Sequence, residues 1–170
     1  MRQESLLITF RNSPGLTRTD IELLLLKAEP ASGLDLRGQN LQGTNLSGLD
    51  MSGADMSGAN LEQAFLVGTM LNGANLSGAN LSKSILKGAS LRNADLRRAT
   101  LINSDLTTAD LYGANLQWAF LNGANLSWAD LRMAQLRGAK LRKTILRGVL
   151  LPAEDTLSFF MFKAFPGGWL

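Results

Sequence analysis

Cysteine and histidine are both missing from the 170 residues of this chain. Without cysteine there is neither a disulfide framework nor a thiolate metal site, and without histidine the commonest general base and the commonest metal ligand are gone. Acceptable export or membrane signals are lacking as well: the apolar run near the start, Leu6 to Ile8, is too short for a secretory core and far too short to cross a bilayer. These absences set the expectation of a cytoplasmic protein that is not an enzyme, holds no cofactor and has no membrane span. The remaining composition, 45% hydrophobic and 18% charged, is that of a globular chain rather than a disordered one.

What is present is a ladder. From Leu36 to Leu146 every fifth residue is Leu or Met, which makes 23 consecutive five-residue units, 21 centred on Leu and two on Met51 and Met56. The position two residues earlier is Ala in 15 of the units, and the position one earlier is often Asn or Asp. Neither a heptad nor a 3.6-residue period fits a repeat of five, and 17 Gly would weaken a long helix. Short straight edges joined by turns fit better. Gly38, Gly43, Gly48, Gly53 and Gly58 recur where such a turn needs positive φ, and Asn or Asp before each Leu can bond local backbone groups.

Units such as Ala74-Asn75-Leu76-Ser77-Gly78 and Ala124-Asn125-Leu126-Ser127-Trp128 follow the pattern A-(D/N)-L-x-x and resemble the pentapeptide repeat family over about two-thirds of the chain. The resemblance implies an all-β solenoid: a right-handed quadrilateral parallel β-helix, four units per coil, with the central Leu and the small residue two before it pointing inward. At 20 residues per coil the ladder makes nearly six coils, and with about 4.8 Å between stacked strands the rod is roughly 28 Å long. Residues 20 apart then stack, as in the column Leu36, Met56, Leu76, Leu96, Leu116 and Leu136.

The chain divides into residues 1–33, the repeats at 34–151, and a tail at 152–170. In the first segment Leu6 to Phe10 reads as a strand and Asn12 to Gly15 as a turn. Thr19 and Glu22 have the spacing of a capping box, so a helix is expected from about Thr19 to Ala28, largely covered because four consecutive Leu surround it, and seated across the open end of the stack. In the tail, Asp155 and Thr156 can start a helix carrying Phe159, Phe160, Phe162 and Phe165, as a cap on the last coil, a dimer contact or a reversible membrane contact, the last the weaker because the segment is short and has only Lys163 as a basic residue. The resemblance implies a homodimer through this tail.

Outward positions carry any function. Residues 34–80 hold one basic and four acidic side chains, whereas 81–151 hold 11 basic and four acidic. One face brings Arg97, Arg98, Trp118 and Arg137 together, and another Arg92, Tyr112 and Arg132 beside Asp110 and Asp130. Basic side chains around an aromatic suit phosphates and bases or an acidic protein, while the plainer reading is that Arg stems pack on the rings and the Asp residues balance them. Phe65, Val67 and Ile85 form an outward apolar strip, with Ile145 farther along. The stacked pairs Asp110/Asp130 and Asp35/Asp55 lack a third carboxylate, so no metal site is expected. The Asn-x-Ser matches and the phosphate-loop-like spacing at Gly73 to Gly78 are by-products of the repeat.

Three functions follow in order: a scaffold or protein-binding module with an unidentified protein partner; imitation of duplex DNA to protect a topoisomerase, which the family resemblance raises and the basic later coils oppose; and nucleic-acid binding through those coils.

Overall fold

The computed structural model describes residues 15–27 and 33–152. Within 33–152 the chain turns every five residues, and each outward residue before a central Leu pairs in parallel with the residue 20 positions on, from Asp35 with Asp55 through Asp130 with Leu150. Each edge is so short that one residue per unit makes the sheet contact. Four such edges close one coil.

One unit shows why five residues suffice, because all of its backbone N–H groups find partners. Asp95 N–H donates to the Ala74 carbonyl of the preceding coil (2.9 Å), while Leu96 and Arg98 N–H donate to Asn115 and Gln117 of the following one (2.8 and 3.0 Å). Ala99 N–H closes the turn on the Leu96 carbonyl (3.1 Å). The fifth donor, Arg97 N–H, is accepted by the Asp95 carboxylate (3.0 Å). A buried or half-buried donor left unpaired is costly, so the Asn or Asp of the repeat completes the backbone accounting. Ser90 and Lys140 stand where that acceptor belongs, and Asn72 and Asn122 of the preceding coil supply it instead, to Arg92 N–H and Arg142 N–H (both 3.1 Å).

The third residue of each turn lies at positive φ, as the bond pattern of a type II turn requires. Glycine fills it in many units, yet Gln63, Lys83, Asn93, Arg98, Asn103, Thr108, Trp118, Trp128, Met133 and Lys143 adopt φ between 55 and 62° there. Ladder packing overrides a local preference of about 1 kcal/mol or more at all of these but Asn93 and Asn103, whose side chains tolerate this region.

Inside, Leu36 to Leu131 and most of the Ala column are fully buried, with Leu136 at 5% exposure and Leu141, Leu146 and Leu151 partly covered toward the last edge. Where Thr69, Ser84, Ser104 and Thr144 replace the small apolar residue, each hydroxyl donates to a backbone carbonyl: Leu46, Leu81, Leu101 and Leu121 at 2.6–2.9 Å.

Helix α1, Arg18–Lys27, lies against the first coil. Its start differs from the expected Thr19: the reciprocal cap joins Thr17 and Asp20, with Thr17 N–H donating to the Asp20 carboxylate (2.8 Å) and Asp20 N–H to the Thr17 hydroxyl (3.3 Å). Anchors to the rod select that pair over Thr19 and Glu22. Leu16 N–H donates to the Asn40 carbonyl (2.8 Å), the Thr44 hydroxyl to the Leu16 carbonyl (2.8 Å), and the Arg18 guanidinium to the Ser47 carbonyl (3.0 Å). Glu22 instead pairs with Arg18 one turn away. The expectation of a largely covered helix is also corrected: Ile21 and Leu24 are buried, but Leu23 and Leu26 are exposed, Leu26 by 84%. A helix on a flat end buries the stripe spaced three apart and no more. The strand expected at Leu6 to Phe10 and the tail with Phe159, Phe160, Phe162 and Phe165 lie outside the described residues.

Candidate interaction surface

Three outward groupings stand on this frame. The first is the Tyr112 face. Arg92 lies over the Tyr112 ring at 4.8 Å and Arg132 at 5.9 Å on the neighbouring coils. Arg92 is paired with Asp110 (2.8 Å) and Arg132 with Asp130 (2.7 Å). The stack is thus internally neutralised, and its guanidinium groups are committed to neighbours. The carboxyls of Asp130, Asp95 and Asp35 are held below the usual carboxylate value chiefly by side-chain hydrogen bonds from Arg132, Arg97 and Arg37, against the opposing effect of burial.

The second grouping holds Arg97, Arg98 and Trp118. Arg97 is clamped by Asp95 through its Nε and Nη2. Arg98 has no ion pair among the described residues. Trp118 does not stack with an arginine there; its ring lies over Gly138, where a β-carbon would collide with it. Ser77, Gly78, Arg97, Arg98, Gln117 and Trp118 line a shallow groove of about 550 Å³. Arg137, expected beside them, stands exposed on the next coil without an ion pair among the described residues.

The third is apolar. Phe65 and Val67 flank Leu66, 45% and 42% exposed, and Ile85 pairs directly with Phe65 on the next coil. Met70, on the following edge, is 41% exposed and was not singled out by the sequence reading. Trp128, Phe120, Met133 and Leu150 also escaped it, although they too are exposed. The signal was available for several: Phe65, Met70, Ile85, Phe120, Ile145 and Leu150 all occupy the position where the repeat places Asn or Asp. Among the described residues no cluster of three or more metal-ligating side chains occurs, and no helix is long and apolar enough to cross a membrane.

A four-sided repeat solenoid whose chemistry sits on outward positions is the class of protein these features define. The family model for pentapeptide repeats matches in 8 copies over residues 32–69, 50–88, 74–111 and 109–148, and the chain belongs to the pentapeptide repeat family. Among solved structures it is similar to HetL, a pentapeptide repeat protein involved in heterocyst differentiation regulation from the cyanobacterium Nostoc sp. strain PCC 7120, with 33% identity and a TM-score of 0.50 over 70% of this chain and 62% of HetL. The chain therefore spans less than two-thirds of HetL's length. It is also similar to Rfr23 from the cyanobacterium Cyanothece 51142, with 28% identity and a TM-score of 0.50 over 74% of this chain and 98% of Rfr23. No curated protein sequence matches. The coil is the right-handed quadrilateral β-helix of this family.

Proposed function

We propose that the chain is a non-enzymatic protein-binding rod, acting in the cytoplasm, whose partner docks on the strip formed by Phe65, Val67, Met70 and Ile85. The observation that carries this reading is the substitution of apolar residues for hydrogen-bonding Asn or Asp at Phe65, Met70 and Ile85. Those positions forgo a turn-supporting bond, and Phe65, Val67 and Met70 leave more than 40% of their area in water. Neighbouring exposed apolar side chains on a rigid scaffold favour association with a complementary surface. Members of the family are generally structural or interaction modules rather than enzymes, which supports the same reading.

Imitation of duplex DNA calls for a run of free carboxylates. Of the eight carboxylates in the repeats, Asp35, Glu62, Asp95, Asp110 and Asp130 are each paired with a basic side chain, which weighs against it.

The test compares the immobilised full chain with Phe65→Asn/Ile85→Asn, which restores the repeat's own residue type and so spares the fold. A protein retained by the wild-type rod and lost by the variant is the expected result. Identical recovery by both would remove the strip from the binding surface.

A further inference from the structure

The last coil differs chemically from all the others. Arg137, Lys140, Arg142, Lys143 and Arg147 are exposed on three successive sides of it, and none has an ion pair among the described residues. From Leu131 to Pro152 the chain contains no acidic residue at all. Elsewhere on the rod cations are commonly matched, as in Arg37 with Asp35, Lys83 with Glu62 and Arg97 with Asp95. The unmatched charge is thus concentrated at one end, opposite the acidic early coils, and gives the rod an electrical direction along its axis.

Apolar side chains are exposed in the same zone. Trp128 is 57% exposed, Met133 65%, Ile145 52% and Leu150 50%. The Arg147 guanidinium lies 6.0 Å from the Trp128 ring, so charge and aromatic surface are presented together. In sequence two acidic residues, Glu154 and Asp155, come next, in a segment outside the described residues.

We infer that the C-terminal end of the rod docks end-on to an anionic lipid surface. A polyanion such as nucleic acid would use the five cations but has no use for exposed Met133, Ile145 and Leu150. A neutral apolar partner would use those residues but gains nothing from the cations. A lipid interface uses both, since its headgroups attract Lys and Arg while the boundary region accepts Trp and aliphatic side chains. Because the cations are spread over three sides of the coil rather than occupying one face, a contact that engages most of them has the rod standing on its end. The strip proposed for a protein partner lies on the early coils and stays free in that orientation, so the two surfaces are independent.

The experiment is co-sedimentation of the full-length chain with vesicles of phosphatidylcholine alone or of phosphatidylcholine with phosphatidylserine, at low and moderate salt. Binding is expected to the anionic vesicles and to weaken with salt. Arg142→Gln/Lys143→Gln should lower the partition coefficient about 25-fold, at about fivefold for each cation near a charged surface. Ile145→Asn/Leu150→Asn, which returns both positions to the repeat's own residue type, should also lower it. Thermal melts of both variants verify that the coils remain folded, and a short DNA duplex serves as a competing probe. No binding to anionic vesicles at low salt overturns the inference, as does equal binding by wild type and both folded variants. Tighter binding to the duplex than to the vesicles, unchanged in Ile145→Asn/Leu150→Asn, also overturns it and assigns the end to nucleic acid.

Discussion

Asp95 accepts two kinds of bond at once, from Arg97 N–H and from the Arg97 guanidinium. Asp95→Asn keeps the first and should cost within about 1 kcal/mol, the range of an exposed ion pair, whereas Asp95→Ala loses both and should cost about 1–2 kcal/mol more in urea melts. The depressed carboxyls of Asp35, Asp95 and Asp130 set an acid limb. A carboxyl whose folded value lies below its unfolded value stabilises fully above the unfolded value, near pH 4, and loses that contribution as pH falls through the folded one. The melting temperature should therefore fall below about pH 4, and a variant with Asn at all three positions should show a flatter limb. Trp118 offers a separate check. Gly138→Ala drives a methyl into its ring as well as straining a residue at φ 76°, so it should destabilise the rod, and less so when Trp118 is also replaced by Gly. Equal costs in the two backgrounds would contradict the ring's placement. The Asn or Asp before each Leu was legible as a turn support, but that Trp118 rests on Gly138 was not, since nothing local sets the rotamer of a corner side chain.

At the scale of the element, α1 depends on a cap and a stripe. Thr17→Ala should cost about 1 kcal/mol through the lost cap, and Leu24→Ala about 2–5 kcal/mol through the cavity left against the first coil, both read from chemical denaturation. Leu26→Ser, at an exposed position, should change stability within about 0.5 kcal/mol. The helix's existence was legible in its apolar run and capping spacing. Two Thr-x-x-acid pairs overlap there, Thr17 with Asp20 and Thr19 with Glu22, and local chemistry does not separate them. Contacts with Asn40, Thr44 and Ser47, more than 20 residues away, make the choice.

For the whole molecule, coils contact only their neighbours, so position along the rod governs the effect of a core change. Leu96, buried in the middle, should abolish the cooperative melt when changed to Lys, because a desolvated ammonium has no partner in the Leu column. Leu141→Lys, at a half-covered position near the last edge, should fray the end while most coils remain folded. Outward Asn115→Lys loses only its bond from Gln117 N–H (3.1 Å) and should cost about 1 kcal/mol. Circular dichroism melts would separate the three; equal midpoints for Leu96→Lys and Asn115→Lys would refute the assignment of inward and outward positions.

A period of five without exception over 23 units put every unit in the same environment and marked short edges joined by turns, while the four-sided coil and its inward columns were what the resemblance to the pentapeptide repeat family implied. Sequence also marked the outward departures, Phe65, Val67, Ile85, Arg92, Tyr112, Arg132 and Arg137 among them. Which of these remain available was decided by tertiary structure. Stacking brings Asp110 within reach of Arg92 on the preceding coil, and with Asp130 holding Arg132 two residues along the same edge the Tyr112 face is neutralised, whereas Arg137, Lys140, Arg142, Lys143 and Arg147 have no ion pair among the described residues. The physical reason is that pairs two residues apart on one edge, such as Asp130 with Arg132, can be read along the chain, whereas pairs between coils, such as Arg92 with Asp110, join side chains about one full turn apart that the chain's own order does not display side by side.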